Sequence, residues 1–178
     1  PDIRFSLKNV SKLDYETLVS KPDMKITPIT YSQQSKLEKS RSEIVDTAVK
    51  NARMLGKENR NGNVVVHVKD IDTDIIISKA AIRHGLDRRK AIQTPIVEHI
   101  GEVITNSVLI NELAPKNQYA DSSYILLGIA KIDTENNYSL VRSVVNRFTN
   151  ELETMDVLYS VDIKKESAAS KEARASGT

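Results

Sequence analysis

The hydrophobic periodicity of this chain changes along its length, and that change constrains the fold more than any other feature. Between Ser32 and Gly56 the residues Leu37, Ile44, Val45, Ala48, Val49, Ala52 and Leu55 recur at helical spacing, with charged residues between them and Gly56 as a stop signal. Thr94-Pro95 opens a second stripe, with Pro at the first helical position and Ile96, Val97, Ile100, Val103, Ile104 and Val108 behind it. From Ser123 onward the pattern becomes strand-like, over Ser123 to Ile132, Tyr138 to Phe148 and Met155 to Ile163. The short links between these runs favour an antiparallel meander. Two more apolar runs, Val64–Val68 and Ile75–Ile77, are too short for helices. The pattern predicts an α+β fold with N-terminal helices packed on one face of a C-terminal antiparallel sheet, and the other face free for a ligand.

The chain of 178 residues has room for one core. Residues 1–40 read as an irregular lead-in with Pro22 and Pro28, residues 41–165 as the folded domain, and residues 166–178 as a disordered tail of small and charged residues. The start at Pro1-Asp2-Ile3, with no leader pattern before it, reads as a piece of a longer protein. With 28% charged residues and no apolar run near the roughly 20 residues that span a bilayer, a water-soluble protein without a membrane partner is expected. The absence of cysteine rules out disulfides, thiolate metal sites and a cysteine nucleophile, and leaves the compartment open. A net charge of +2 is too small for the whole molecule to attract nucleic acid, so an anionic ligand has to be held locally.

One local cluster meets that requirement. Arg83-His84-Gly85-Leu86-Asp87-Arg88-Arg89-Lys90 sets one histidine among four cations and a single acid, in what reads as a turn after a helix stopped by Gly85. A solvated basic loop at a helix end accounts for these residue types equally well. His67 lies within a β-branched run, where a strand face explains it, and His99 lies off the apolar stripe of its helix. RNA cleavage through the 2′-hydroxyl needs a base, an acid and cations near phosphorus, and no metal or cofactor. His84, Arg88 and Arg89 are the candidate catalytic residues. Arg83, Lys90, Arg142, Asn146, Thr149 and Tyr159 are the candidates for holding substrate. Tyr159 shares strand parity with Val157, Val161 and Ile163, which favours the core, whereas Arg142 and Asn146 alternate towards the other side of their strand. No Gly-rich phosphate loop, His-Glu-x-x-His pair or Gly-x-Ser-x-Gly elbow is present.

Several runs together carry a family resemblance: Ser42-Glu43-Ile44-Val45-Asp46 through Asn51-Ala52-Arg53, Asp74 through Lys79, and Ile82 through Arg89. Ile100 through Ser107, Val144 through Asn150 and Asp156 through Ser160 continue it. This pattern, over roughly residues 42 to 165, resembles the large polyvalent-protein-associated nuclease domain of the barnase/EndoU/colicin/RelE-like class. The resemblance implies a toxin-like ribonuclease module of bacterial phage or mobile-element proteins, delivered from a phage particle or secreted within a larger protein. It also implies a cytoplasmic RNA target, with tRNA among the candidates, and a cognate immunity protein as partner. Two other readings stay open. One is a non-catalytic module that binds nucleic acid or a protein partner through the same basic turn. The other is a structural appendage of a capsid or delivery protein.

Overall fold

The computed structural model describes residues 20–31, 39–58, 61–86 and 94–165. Its strands are β1 (Ile26–Ile29), β2 (Lys57–Glu58), β3 (Val64–Val68), β4 (Thr73–Ile77), β5 (Val108–Leu113), β6 (Ser122–Ile132), β7 (Ser139–Thr149) and β8 (Thr154–Lys165). The helices are α1 (Arg41–Arg53), α2 (Lys79–Leu86), α3 (Thr94–Glu98) and α4 (Ile100–Thr105). No helix among the described residues is long and apolar enough to cross a membrane.

Helices packed on one antiparallel sheet are not what the chain forms. Strands make up 43% of the described residues. They join in one eight-stranded mixed sheet of order β1-β6-β7-β8-β4-β3-β2, with β5 beside β6. The β6-β7-β8 meander is antiparallel as expected from its short turns. Two segments distant in sequence then add parallel joins, β1 on β6 and β4 on β8. Short connections dictate antiparallel pairing only between neighbours in sequence, and these two strands are not neighbours of the ones they meet. Part of the lead-in therefore belongs to the sheet, while residues 1–19 and the tail 166–178 lie outside the described residues.

The helices are also shorter than the stripes suggest. Ser40 caps α1, its Oγ accepting from the Glu43 N–H at 3.2 Å, so the helix starts at Arg41; residues 32–38 lie outside the described residues. The second stripe breaks at His99 into α3 and α4. Val108 is not its last residue but the first of β5. That strand's outer edge is closed by side chains: the Leu109 N–H donates to Asp70 Oδ2 at 2.9 Å, and the Leu109 carbonyl accepts from Lys21 Nζ at 2.6 Å.

The main core joins Ile44, Val45, Ala48 and Ile104 of the helices to Val64, Val66, Ile75, Ile77, Leu126, Val145 and Leu158 of the strands. A second, small cluster of Val108, Leu127, Ile129 and Leu140 forms on the opposite side of β6. Alternate residues of β6 thus enter different cores, and the strand is buried along nearly all its length. Past the second cluster, the same side of β6-β7-β8 opens into a cleft.

Candidate functional site

The cleft is built where β8 loses a neighbour. β4 pairs with it only at Ile75↔Asp156 and Ile76↔Val157, and the chain then turns at Ser78 into α2. Ser78 caps that helix, its Oγ accepting from the Ala81 N–H at 3.2 Å. The helix runs against the free part of β8. Gly85 lies inside it rather than ending it, and a Cβ there would meet the Val161 Cβ at 3.5 Å. Gly85 is therefore packed against β8. The same packing carries His84 to Tyr159, with ring centroids 6.0 Å apart and planes inclined by 39°.

Strand parity placed Tyr159 in the core, but 46% of it is exposed. The reason is a β-bulge: Val144 pairs with Ser160 and Val145 with Leu158, which leaves Tyr159 as the extra residue. A bulge of this kind re-aims one side chain while the core positions on either side, Leu158 and Val161, stay buried.

His84, Leu113, Ala114, Lys116, Ser123, Arg142, Val144, Asn146, Tyr159 and Ser160 line a cavity of about 240 Å³. The register explains the gathering. Arg142, Val144 and Asn146 alternate onto one face of β7, and Asn146 stands opposite Ser123 of β6. Lys116 comes from the loop between β5 and β6. That loop is tied down where the Asp121 N–H donates to the Arg147 carbonyl at 2.8 Å and the Tyr119 N–H to Asn117 Oδ1 at 2.8 Å.

The floor is polar and ordered. Ser123 and Asn146, 3% and 5% exposed, are joined by a hydrogen bond from the Ser123 hydroxyl to Asn146 Oδ1. That bond ties down one end of the amide, and no other hydrogen bond among the described residues holds its side chain. Arg142 is half-buried; burial lowers its pKa, and Asp162, its partner across β8, partly opposes the shift. Its Nε is buried with no hydrogen-bond partner among the described residues. Among the described residues, none that lines the cavity is acidic.

Of the residues singled out in the sequence, the structure brings together His84, Arg142, Asn146 and Tyr159. Arg83 is exposed and does not line the cleft. Thr149 is exposed at the far end of β7, where its N–H donates to Asp121 Oδ2. Arg88, Arg89 and Lys90 lie outside the described residues. Lys116 and Ser123 were not singled out: one is a lone lysine in a loop, the other a serine at a strand start, and neither carries a local signal.

The other histidines stand elsewhere. His67 bridges two carboxylates on the β3-β4 hairpin, with Nδ1 at 2.8 Å from Asp74 and Nε2 at 3.0 Å from Asp72. His99 sits at the break between α3 and α4, beside a shallow hollow with Met54 and Leu55. Among the described residues, no group of three or more histidines and carboxylates is placed to hold a metal ion.

No protein-family model, curated protein or solved structure matches this chain, so none of these comparisons supports the nuclease resemblance.

Proposed function

We propose that the cleft binds the phosphodiester of RNA and that His84 moves the proton that starts its cleavage. The observation that carries this reading is the composition of the lining: among the described residues it holds three basic side chains, His84, Lys116 and Arg142, and no carboxylate. A half-buried guanidinium that lines the cavity gains from an anion that brings its own acceptor oxygens.

In the proposed reaction His84 takes the proton of a 2′-hydroxyl, and the 2′-oxygen attacks phosphorus to form a 2′,3′-cyclic phosphodiester. The bond to the 5′-oxygen breaks, and that oxygen takes a proton from the Lys116 ammonium. Arg142 offsets the charge that builds on the phosphoryl oxygens. A second reading, a binding site without chemistry, is favoured by one feature: among the described residues, the His84 ring makes no hydrogen bond to a carboxylate or carbonyl that would orient it.

End-labelled RNA incubated with the wild-type chain and with His84→Ala separates the two. Cleavage is expected to give fragments ending in a cyclic phosphate with wild type and none with the variant, while both bind RNA. Intact RNA with wild type, at concentrations that saturate binding, would leave the binding site and remove the enzyme.

A further inference from the structure

The floor of the cleft is more specific than phosphate binding requires. A phosphate site needs donors; this one also holds a buried amide fixed by a buried hydroxyl, and an aromatic ring turned out of the core by a bulge. We propose that the cleft takes one unpaired base, stacked on Tyr159, and that Asn146, held by Ser123, reads its edge. This rests on the reading of the cleft as an RNA site and adds which part of the RNA it selects.

Three features support the assignment. Ser123 ties down one end of the Asn146 amide by a hydrogen bond, so the other end is presented at a fixed position and the floor selects the base whose edge complements it. Tyr159 is exposed beside His84 and contributes nothing to the main core, and an exposed ring of this kind is a platform on which any base can stack. Arg142 and Asn146 stand roughly 13 Å apart along β7, with Val144 between them as an apolar patch under a ring. A cavity of about 240 Å³ lies below the roughly 300–1,000 Å³ of sites for larger ligands. It suits one nucleotide, not a helix, and a base paired in a duplex cannot present its edge to Asn146.

The test uses short 2′-O-methyl chains, which cannot undergo 2′-hydroxyl attack, each carrying one of the four bases between abasic flanks, with a wholly abasic chain as reference. Wild type is expected to bind one base about tenfold or more tightly than the abasic chain and to discriminate among the four. Ser123→Ala, which frees the amide to rotate, is expected to level that discrimination to about twofold. Asn146→Asp, which replaces the amide by a carboxylate, is expected to change the preferred base. Tyr159→Ala is expected to lose about tenfold for every base, and Tyr159→Phe to lose little. Thermal midpoints matched to wild type identify variants that have kept the fold, and the Tyr159 pair carries the test if Ser123→Ala does not. Equal binding of abasic and base-bearing chains would overturn base recognition and leave the phosphate site standing. No binding of any chain would overturn both.

Discussion

Arg142 and Arg147 lie on the same strand, β7, and on opposite faces of it. Arg147 is fully engaged: Nε and Nη2 each reach Asp156 at 2.8 Å, and the guanidinium lies over the Tyr124 ring at 5.6 Å from its centre. Tyr124 donates its hydroxyl to the same carboxylate at 2.5 Å, from a ring that is 5% exposed. Among the described residues Arg142 has no such hydrogen-bonded partner: its Nε is buried without one, and its side chain lines a cavity with a lysine and a histidine. Arg147 therefore closes a polar network that fixes how β6, β7 and β8 lie together. Arg142 carries a desolvation cost that Asp162 offsets only in part, as expected where a charge is kept for a ligand.

The contrast can be broken first at the engaged end. Asp156→Ala leaves a buried tyrosine hydroxyl without an acceptor and an arginine without its partner. A loss of about 2–4 kcal/mol is expected, below the value for a wholly buried pair because the Arg147 side chain is 40% exposed. Urea denaturation measures it, and a loss under about 1 kcal/mol would mean that the network is not structural.

The same network has a pH signature. Burial, and then the hydrogen bond to Asp156, raises the pKa of Tyr124 above its ordinary 10.0. Above pH 10.0 the unfolded chain gives up this proton while the folded chain keeps it, so the unfolded state binds fewer protons and stability falls as pH rises. Below that pH the group contributes no pH dependence. Wild type is expected to lose about 1.4 kcal/mol per pH unit above this point relative to Tyr124→Phe, measured by denaturation across the alkaline range. Parallel curves for the two proteins would contradict the assignment.

At the unengaged end the expected change in stability is smallest. Arg142→Leu is expected to keep stability within about 0.5 kcal/mol of wild type or to raise it, because it removes a half-buried charge whose burial Asp162 offsets only in part. A loss as large as that of Asp156→Ala would show that Arg142 serves the fold after all.

Much of this contrast is legible in the sequence, and the rest fails for identifiable reasons. The three long strands show themselves through alternation and polar turns, and the alternation also sets Arg142 and Asn146 apart from the core positions of their strand. Tyr159 is misread because one extra residue at a bulge breaks the parity on which the reading depends. Val108 continues a helical stripe by spacing alone, although the chain has already left the helix after Thr105. The parallel joins of β1 and β4 leave no local trace, since they depend on residues about a hundred and about eighty positions away. Lys116 and Ser123 reach the cleft through the same long-range geometry. The nearness of His84 to β8 follows from α2 taking the place that β4 vacates, which no pattern around His84 records.

The measurement that bears most directly on the cleft as a phosphate site is the salt dependence of binding to a single-stranded 2′-O-methyl RNA. On a plot of log affinity against log salt, each phosphate contact contributes a slope of about −0.7. Arg142→Leu is expected to weaken binding for all sequences alike and to make the slope shallower by about that amount, while Arg83→Leu, a cation outside the cleft, changes it little. An unchanged slope with Arg142→Leu would contradict the account, because the charge that the fold offsets only in part would then not be meeting phosphate.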